Sequence, residues 1–371
     1  MKHDLQGIIY TLRSSDELRD LVTSRNAASI PFCGRYRLID FALSSMSNAG
    51  IRDVGVIMER DYQSLLDHLN GGKAWGLSRR SGGLRLLPPF GLPEAHAGSY
   101  SGCMEALRSV RSYIEDIQRE NIVLTAADYV ANIDITAVAE QHIQSGADIT
   151  AVCVDDEPGY AKYRFIPDDD GFARKLIVTD RKTPEGFATS EVYIIKKDLL
   201  LQFMNYCTTE DRVHFHRDAL KHYLAQGGKV GIYHHKGYFH RIESVKSYYE
   251  TSLELLQPEI MSGLFPEERP IYTKGRSSVS TYYGENAVVR NSMLADGCIV
   301  EGEVVNCVLF RGVRVGKGAK LKNCVIMQDT VIGENVSLTS IIADKDCRFT
   351  DGCTLSGSDR LPVPVPKGAV V

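Results

Sequence analysis

The last quarter of the chain repeats with a period of six. Val313, Ala319, Val325 and Val331 recur at every sixth position, as do Val315, Leu321 and Met327, with Gly333 next in line. After a slip the pattern resumes at Val336 and Ile342. Gly316-Lys317-Gly318 and Gly333-Glu334-Asn335 fall where tight corners belong. A coil made of three such units is the signature of a left-handed parallel β-helix. The competing reading, a β-sandwich with glycine turns, gives no reason for a fixed six-residue register. One coil cannot bury its own core, so coils must stack on neighbours. Their exposed sides and ends commonly become subunit contacts, and an oligomer is expected.

The 371 residues are too many for that domain alone and suit two. Residues 5–255 alternate between strand-like and helix-like stretches. Leu5–Tyr10 reads as a first strand, Tyr36–Ala49 as a helix stopped by Gly50, and 54–58 as a buried strand. Cys103–Ile117 reads as one helix, Asn121–Leu124 as a strand, and Ile133–Ser145 as a helix ended by Gly146. Residues 148–154, rich in β-branched side chains, suit a central strand. Such alternation predicts a mixed, mostly parallel sheet covered by helices, an α/β fold whose ligands sit beyond the carboxyl ends of the strands. Residues 70–100, with Gly71-Gly72, Gly82-Gly83 and Pro88-Pro89, read as long loops over that edge. The expected organisation is an α/β domain at 1–255, a linker at 256–279 and the β-helix at 280–371.

Composition narrows the function. A net charge of -4 supplies no global field for nucleic acid or an anionic membrane. No run of about 18 apolar residues suggests a membrane span. Residues 1–6 lack the apolar core of a secretion signal. Nine cysteines without a C-x-x-C pair favour reduced thiols and a cytoplasmic setting.

The first strand runs into Leu12-Arg13-Ser14-Ser15-Asp16-Glu17-Leu18, and no glycine follows Gly7 until Gly34. A phosphate-cradling loop needs glycines so that backbone N–H groups can approach the anion, and two acids repel it. Arg25, Arg35 and Arg37 cluster near the turn shaped by Pro31 and Gly34 and are either phosphate contacts or surface arginines. Asp128, just past a strand, suits Mg²⁺ held against phosphates or an ordinary loop role. Asp134 reads as a helix cap. His234, His235 and His240 fit no common zinc spacing and read as surface histidines of an edge strand. Asp168-Asp169-Asp170-Gly171 reads as a hairpin turn, and the bases and aromatics of 160–165 do not make a nucleic-acid motif.

Two segments carry a resemblance. Residues 30–44, Ile-Pro-Phe-Cys-Gly-Arg-Tyr-Arg-Leu-Ile-Asp-Phe-Ala-Leu-Ser, match V-P-F-G-G-K-Y-R-I-I-D-F-A-L-S of the ADP-glucose pyrophosphorylase family, the glucose-1-phosphate adenylyltransferases. Residues 237–250 match G-Y-W-R-D-V-G-T-x-x-S-Y-x-E of the same family. The likeness spans the whole chain and is closest to the GlgD-type subunits of Gram-positive bacterial glycogen synthesis.

The resemblance implies a nucleotidyltransferase-like domain followed by a left-handed β-helix. It also implies the chemistry of joining ATP and glucose 1-phosphate into ADP-glucose and pyrophosphate with Mg²⁺. The matching positions are degraded. The family's G-G-x-G-x-R-L falls on 12–18, so its second glycine becomes Arg13 and its arginine becomes Glu17. The lysine and proline before V-P-F fall on Ala27 and Ala28. G-T-A-D falls on 102–105 and keeps only Gly102. S-G-D-H keeps its aspartate as Asp128, and the second metal aspartate becomes Arg241. The E-K-P segment falls near Asp180-Arg181-Lys182.

Arg13, Glu17 and Arg241 are thus degenerate catalytic positions, and no catalytic residue is assigned. The implied substrate-binding candidates are Arg25, Arg35, Gly102, Arg181, Lys182 and Glu191, with Asp128 as the metal candidate. The expectation is a non-catalytic or weakly catalytic regulatory subunit that joins a catalytic homologue in a heterotetramer. Mg²⁺ is then needed only in the partner or for residual activity. ATP, glucose 1-phosphate or another sugar phosphate is a possible effector. A competent adenylyltransferase and a sugar-phosphate or nucleotide sensor without turnover stay open; a hexapeptide acyltransferase is weaker, because no histidine lies within the coils.

Overall fold

The computed structural model describes residues 4–12, 16–89, 100–155, 161–179, 181, 183 and 185–371. The chain divides into two compact units. One comprises Met1–Arg13, Phe41–Phe239 and Glu267–Tyr272; the other comprises Ser14–Asp40, His240–Pro266 and Thr273–Val371. The second unit thus takes 14–40 and 240–255 from the stretch that sequence alternation assigns to the α/β domain, together with 256–266 of the expected linker.

The first unit is built on a nine-stranded mixed sheet. Leu5–Tyr10 lies parallel to Asp53–Ile57 on one side and to Asn121–Ala126 on the other. Gly83–Leu87 continues the parallel run at the edge. Phe187–Lys196 runs antiparallel to both Asn121–Ala126 and Ile149–Val154, and so joins two parallel sets. Ile8, Ile9, Ile122, Val123 and Leu124 are fully buried, so both faces of the central strands are covered, as their unbroken apolar sequence requires. Tyr163–Pro167 and Ala173–Val178 form a hairpin whose turn is tied by Asp168 Oδ1, which accepts from the N–H groups of Asp170 and Phe172.

Several local expectations are met and others corrected. The helix Ile135–Ser145 is capped by Asp134, whose Oδ1 accepts from Ala137 N at 3.1 Å, and it ends at Gly146 in the left-handed region. The expected single helix over 103–117 is two, Cys103–Ser109 and Arg111–Glu115, broken at Val110. Ser109 Oγ donates back to Ala106 O at 2.8 Å, which bends the last turn there. The expected helix start at Tyr36 moves to Leu38, because Tyr36–Arg37 pairs as a short strand with Pro31–Phe32. The stretch 70–100 holds a 3₁₀ helix, Asn70–Trp75, and the edge strand Gly83–Leu87, so it is not loop throughout.

The second unit carries the left-handed parallel β-helix, three five-stranded parallel sheets wound from Tyr282 to Val365. Its pitch corrects the six-residue register. Val308 pairs with Val325 and Val325 with Ile342, a repeat of 17 residues in which one unit is short by one, while the earlier step from Met293 to Val308 spans only 15. The short corner is Asn306, Asn323 and Ser340, each at positive φ (52°, 54° and 53°). Asn306 Nδ2 donates to Asn323 Oδ1, while Asn323 Nδ2 and Ser340 Oγ both donate to Asp359 Oδ1. The shift puts Cys324, Ile326 and Ile341 in the internal core with Val313, Val315, Ala319 and Leu321. Val325, Met327 and Ile342 instead leave the internal stack. They are still buried, and the helix Val245–Glu254 of the same unit packs on the strand Val325–Ile326. That helix begins with a capping box in which Ser244 and Ser247 exchange hydrogen bonds.

Candidate functional site

In an α/β sheet the ligand-facing groups gather where parallel strands end. In the first unit, Tyr10 closes the central strand and pairs with Ala126, the last residue of its neighbour. Asp128 follows two residues later and is half-buried. Glu191 reaches the same edge from the antiparallel strand: Val192 pairs with Thr125, and the register slips between Thr189 and Val192. At this bulge Glu191 sits at φ 60°, a conformation that favours glycine. Its N–H donates to Thr189 Oγ1 at 3.1 Å, and its Oε2 accepts from Tyr10 OH at 3.1 Å. A buried chain of polar groups fixes the bulge: Thr189 Oγ1 to Tyr193 OH at 2.8 Å, and Tyr193 OH to His216 Nε2 at 2.7 Å. Tyr163 stacks on His216 with ring centroids 4.0 Å apart.

Gly102 leads into the helix Cys103–Ser109 at the same edge. A Cβ there would meet Val213 O at 2.3 Å, so glycine is required by close approach of two backbones. The Cys103 thiol is pushed well above its ordinary pKa by burial, with the Glu191 charge adding to the rise. The buried Glu59 accepts from Tyr100 N at 3.0 Å. Tyr10, Glu59 and the Thr189–Tyr193–His216 chain are site elements that periodicity does not mark, since each is a polar group inside an apolar strand or an unpatterned connection. Arg181 is exposed, with its N–H donating to Thr179 Oγ1. Arg13 and Lys182 lie outside the described residues.

The other candidates belong to the second unit. Residues Asp16–Val22 form two 3₁₀ turns kinked at Arg19 (φ 45°), with Asp16 and Glu17 exposed in the first turn and Leu18 and Leu21 buried. This segment is anchored by leucines and presents carboxylates. Arg25, read as a phosphate contact or a surface arginine, is buried: its Nη2 is bonded to Asp344 Oδ2, and its Nη1 lies 3.9 Å from Met327 Sδ. Its charge is therefore matched internally. The neighbouring Lys345 amine is pushed down to about 7, first by burial and then by Arg37 and Arg25, with Asp344 opposing. Arg35 is exposed and lies 6.0 Å over the Tyr36 ring. Arg241 is half-buried at the end of the strand Phe239–Arg241.

Among the described residues no three His, Cys, Asp or Glu side chains converge as metal ligands. His234 lies on the edge strand Val230–His235, with Nε2 3.0 Å from Asp155 Oδ1. Burial lowers the pKa of His235.

Comparison with known proteins decides the family. Residues 14–258 match the nucleotidyl transferase family and 277–360 the GlmU-like C-terminal hexapeptide family. The chain is 34% identical over 374 residues to "Glycogen biosynthesis protein GlgD" of Bacillus subtilis (strain 168), covering 99% of this chain and 97% of that protein. It is 31% identical over 329 residues to "Glucose-1-phosphate adenylyltransferase" of Geobacillus stearothermophilus, covering 87% and 84% respectively. The chain belongs to the glucose-1-phosphate adenylyltransferase family. Another adenylyltransferase, from Bacillus anthracis, is 29% identical over 87% of both chains. The GlgD-type relative covers nearly all of this chain, so the likeness extends over both the nucleotidyl transferase match and the hexapeptide coils.

Proposed function

We propose that this chain is a non-catalytic or weakly catalytic regulatory subunit of a glucose-1-phosphate adenylyltransferase. It assembles with a catalytic homologue and raises ADP-glucose synthesis for glycogen formation in the cytoplasm. The observation that carries this reading is the segment Asp16–Val22. Where the resemblance puts a glycine-rich loop for a triphosphate, the chain has a pair of 3₁₀ turns kinked at Arg19, anchored by the buried Leu18 and Leu21 and presenting Asp16 and Glu17. Adenylyl transfer develops negative charge and needs preorganised donors and cations around it. Removing one such donor costs roughly 3 kcal/mol in an enzyme that has it. Here an arginine of the motif is a glutamate, and the aspartate of the second metal position is Arg241, a cation in place of a ligand. Both exchanges act in the same direction.

Mg²⁺ and the turnover site then belong to the partner, and Asp128 alone is a remnant of the metal pair. No helix among the described residues is long and apolar enough to cross a membrane. The test is co-expression with the catalytic homologue of the same cell, followed by measurement of complex mass and ADP-glucose formation. A mixed complex with higher specific activity than the catalytic subunit alone is expected, while the isolated chain with ATP, glucose 1-phosphate and Mg²⁺ turns over little or not at all. Full activity of the isolated chain, abolished by Asp128→Asn, would identify a competent enzyme instead. Tight ligand binding without turnover and without effect on the partner would identify a sensor.

A further inference from the structure

The first unit carries a groove of about 530 Å³, lined by the end of the helix Lys197–Thr209, the connection 211–214 and the helical stretch that follows it. From its lining we infer a binding site for a phosphoryl group, held by Arg212, Arg217 and Lys221. The inference goes beyond the reading above and does not rest on it, since none of these cations belongs to the set gathered at the strand ends.

The volume suits a phosphorylated monosaccharide or a smaller anion. Charge makes the selection. Three cations, Arg212, Arg217 and Lys221, line the groove with exposed side chains, and His214 and His222 stand beside them. Two carboxylates, Asp211 and Asp218, share the lining, which leaves an excess of positive charge. Asp218 is turned inward: its side chain is 9% exposed, and its Oδ2 accepts from Val213 N at 3.3 Å and from His214 N at 2.9 Å. Its Oδ1 stands 3.7 Å from Arg217 Nε, beyond hydrogen-bond reach. Among the described residues, Arg212, Lys221 and Asp211 make no ion pair. The cations already act on His214, whose pKa is lowered first by burial and then by Arg217, against Asp218, with Lys162 adding to the fall. Surroundings that disfavour a further proton favour an anion in the same space.

The backbone brings these cations together. Phe215–Leu220 is a π-helix, with Ala219 N donating to His214 O at 3.4 Å, and it passes directly into Lys221–Ala225. Phe215, His216, Ala219 and Leu220 are buried, so Arg217 and Lys221 are left on the outer side. Single π-turns kept in native helices are frequent at functional sites. His222 stacks on Tyr206 with ring centroids 4.2 Å apart and planes 9° from parallel, a flat wall along which the carbon body of an ester can lie. Guanidinium forks match pairs of phosphate oxygens, and the Lys221 ammonium adds a point charge.

The experiment is calorimetric titration of the full chain with inorganic phosphate, glucose 6-phosphate and glucose at millimolar concentrations. Wild type is compared with the groove variant Arg212→Gln with Lys221→Gln, with the charge-keeping Lys221→Arg, and with Lys320→Gln with Lys322→Gln, which removes two exposed lysines of the second unit. Wild type is expected to bind phosphate or its ester and not glucose. The groove variant should lose affinity by on the order of tenfold, while Lys221→Arg and the second-unit variant bind as wild type does; circular dichroism reports whether the variants fold. Tighter binding of glucose 6-phosphate than of phosphate supports a sugar ester as the occupant, and the reverse supports the free anion. A second readout needs no variant: amide hydrogen exchange at 206–225 of wild type should slow when phosphate is added. Undetectable binding of both phosphates, unchanged affinity in the folded groove variant, an equal loss in the second-unit variant, or exchange at 206–225 that phosphate leaves unaltered overturns the inference.

Discussion

Replacing Asp344 with asparagine should destabilise the second unit severely. Arg25 and Asp344 are 3% and 2% exposed, and they face each other in a direct ion pair. Asp344 Oδ1 also accepts from Lys345 N at 2.7 Å. Three further cations crowd the same place: Arg37, Lys345 and Lys367 all act on the Lys345 amine or carry it, and Asp344 is the acid that opposes them. Asparagine keeps the shape and removes the charge, so the Arg25 guanidinium stays buried without its counter-ion. Breaking one side of a buried pair costs about 3–5 kcal/mol, far more than an exposed pair is worth. For a unit of this size that corresponds to a fall in melting temperature of roughly 10 °C. Equilibrium urea unfolding of Asp344→Asn against wild type measures the cost at pH 8. The apolar double replacement Arg25→Met with Asp344→Leu should recover most of it, because no charge is then left buried. A loss below about 1 kcal/mol for Asp344→Asn would refute the reasoning, since it would mean that water or another anion satisfies Arg25.

The remaining expectations concern pH and packing. Lys345 has its pKa moved down from 10.5 to about 7 by burial and neighbouring cations, so the unfolded chain binds more protons between these values and stability should rise as pH increases from about 7 to 10.5. Lys345→Met should flatten that rise in thermal melts recorded across the range. His142, pushed down from 6.5 to about 4 mainly by burial and bonded to Thr150 Oγ1 at 2.8 Å, is kept neutral in the fold. Stability should therefore fall as pH drops from 6.5 towards 4, and His142→Gln should weaken that dependence. Gly102→Ala forces a methyl group to 2.3 Å from Val213 O and should cost about 1–3 kcal/mol by denaturant unfolding, with the Met104 N to Val213 O bond strained as well.

The legible parts of the fold were those in which one local pattern decides the outcome. Leu5–Tyr10, the Asp134 cap, the Gly146 stop and the Asp168 turn each follow from chemistry within a few residues. The β-helix was legible from its period, but its 17-residue coil was not, because Asn306, Asn323 and Ser340 shorten a corner through backbone conformation and leave no gap in the apolar pattern. Val325 and Ile342 are as buried as the true interior residues, so hydrophobicity alone assigns them to the wrong side of the wall. The strand Phe187–Lys196, which joins the two parallel sets, was hidden because antiparallel insertion depends on partners far away in sequence. In the candidate site, Asp128 lies just past the strand Asn121–Ala126, where its position in the sequence put it, whereas Gly102 was marked by the resemblance alone. The burial of Arg25 was not legible, because its partner Asp344 is 319 residues away and no local signal announces it.

The 17-residue turn also governs how this domain can change length. Adding or deleting a single residue in a coil would move Cys324, Ile326 and every later inward side chain to the outer wall, and would carry Asn323 off the column it shares with Asn306 and Ser340. Growth or shrinkage must therefore come in whole turns, at a corner that can lose residues as in the 15-residue step from Met293 to Val308, or at a place where the chain already leaves the wall. One such place lies between Ile341 and its partner Val363, where the winding loops out around Asp359 and returns in step. Variation in domain length should be found there first.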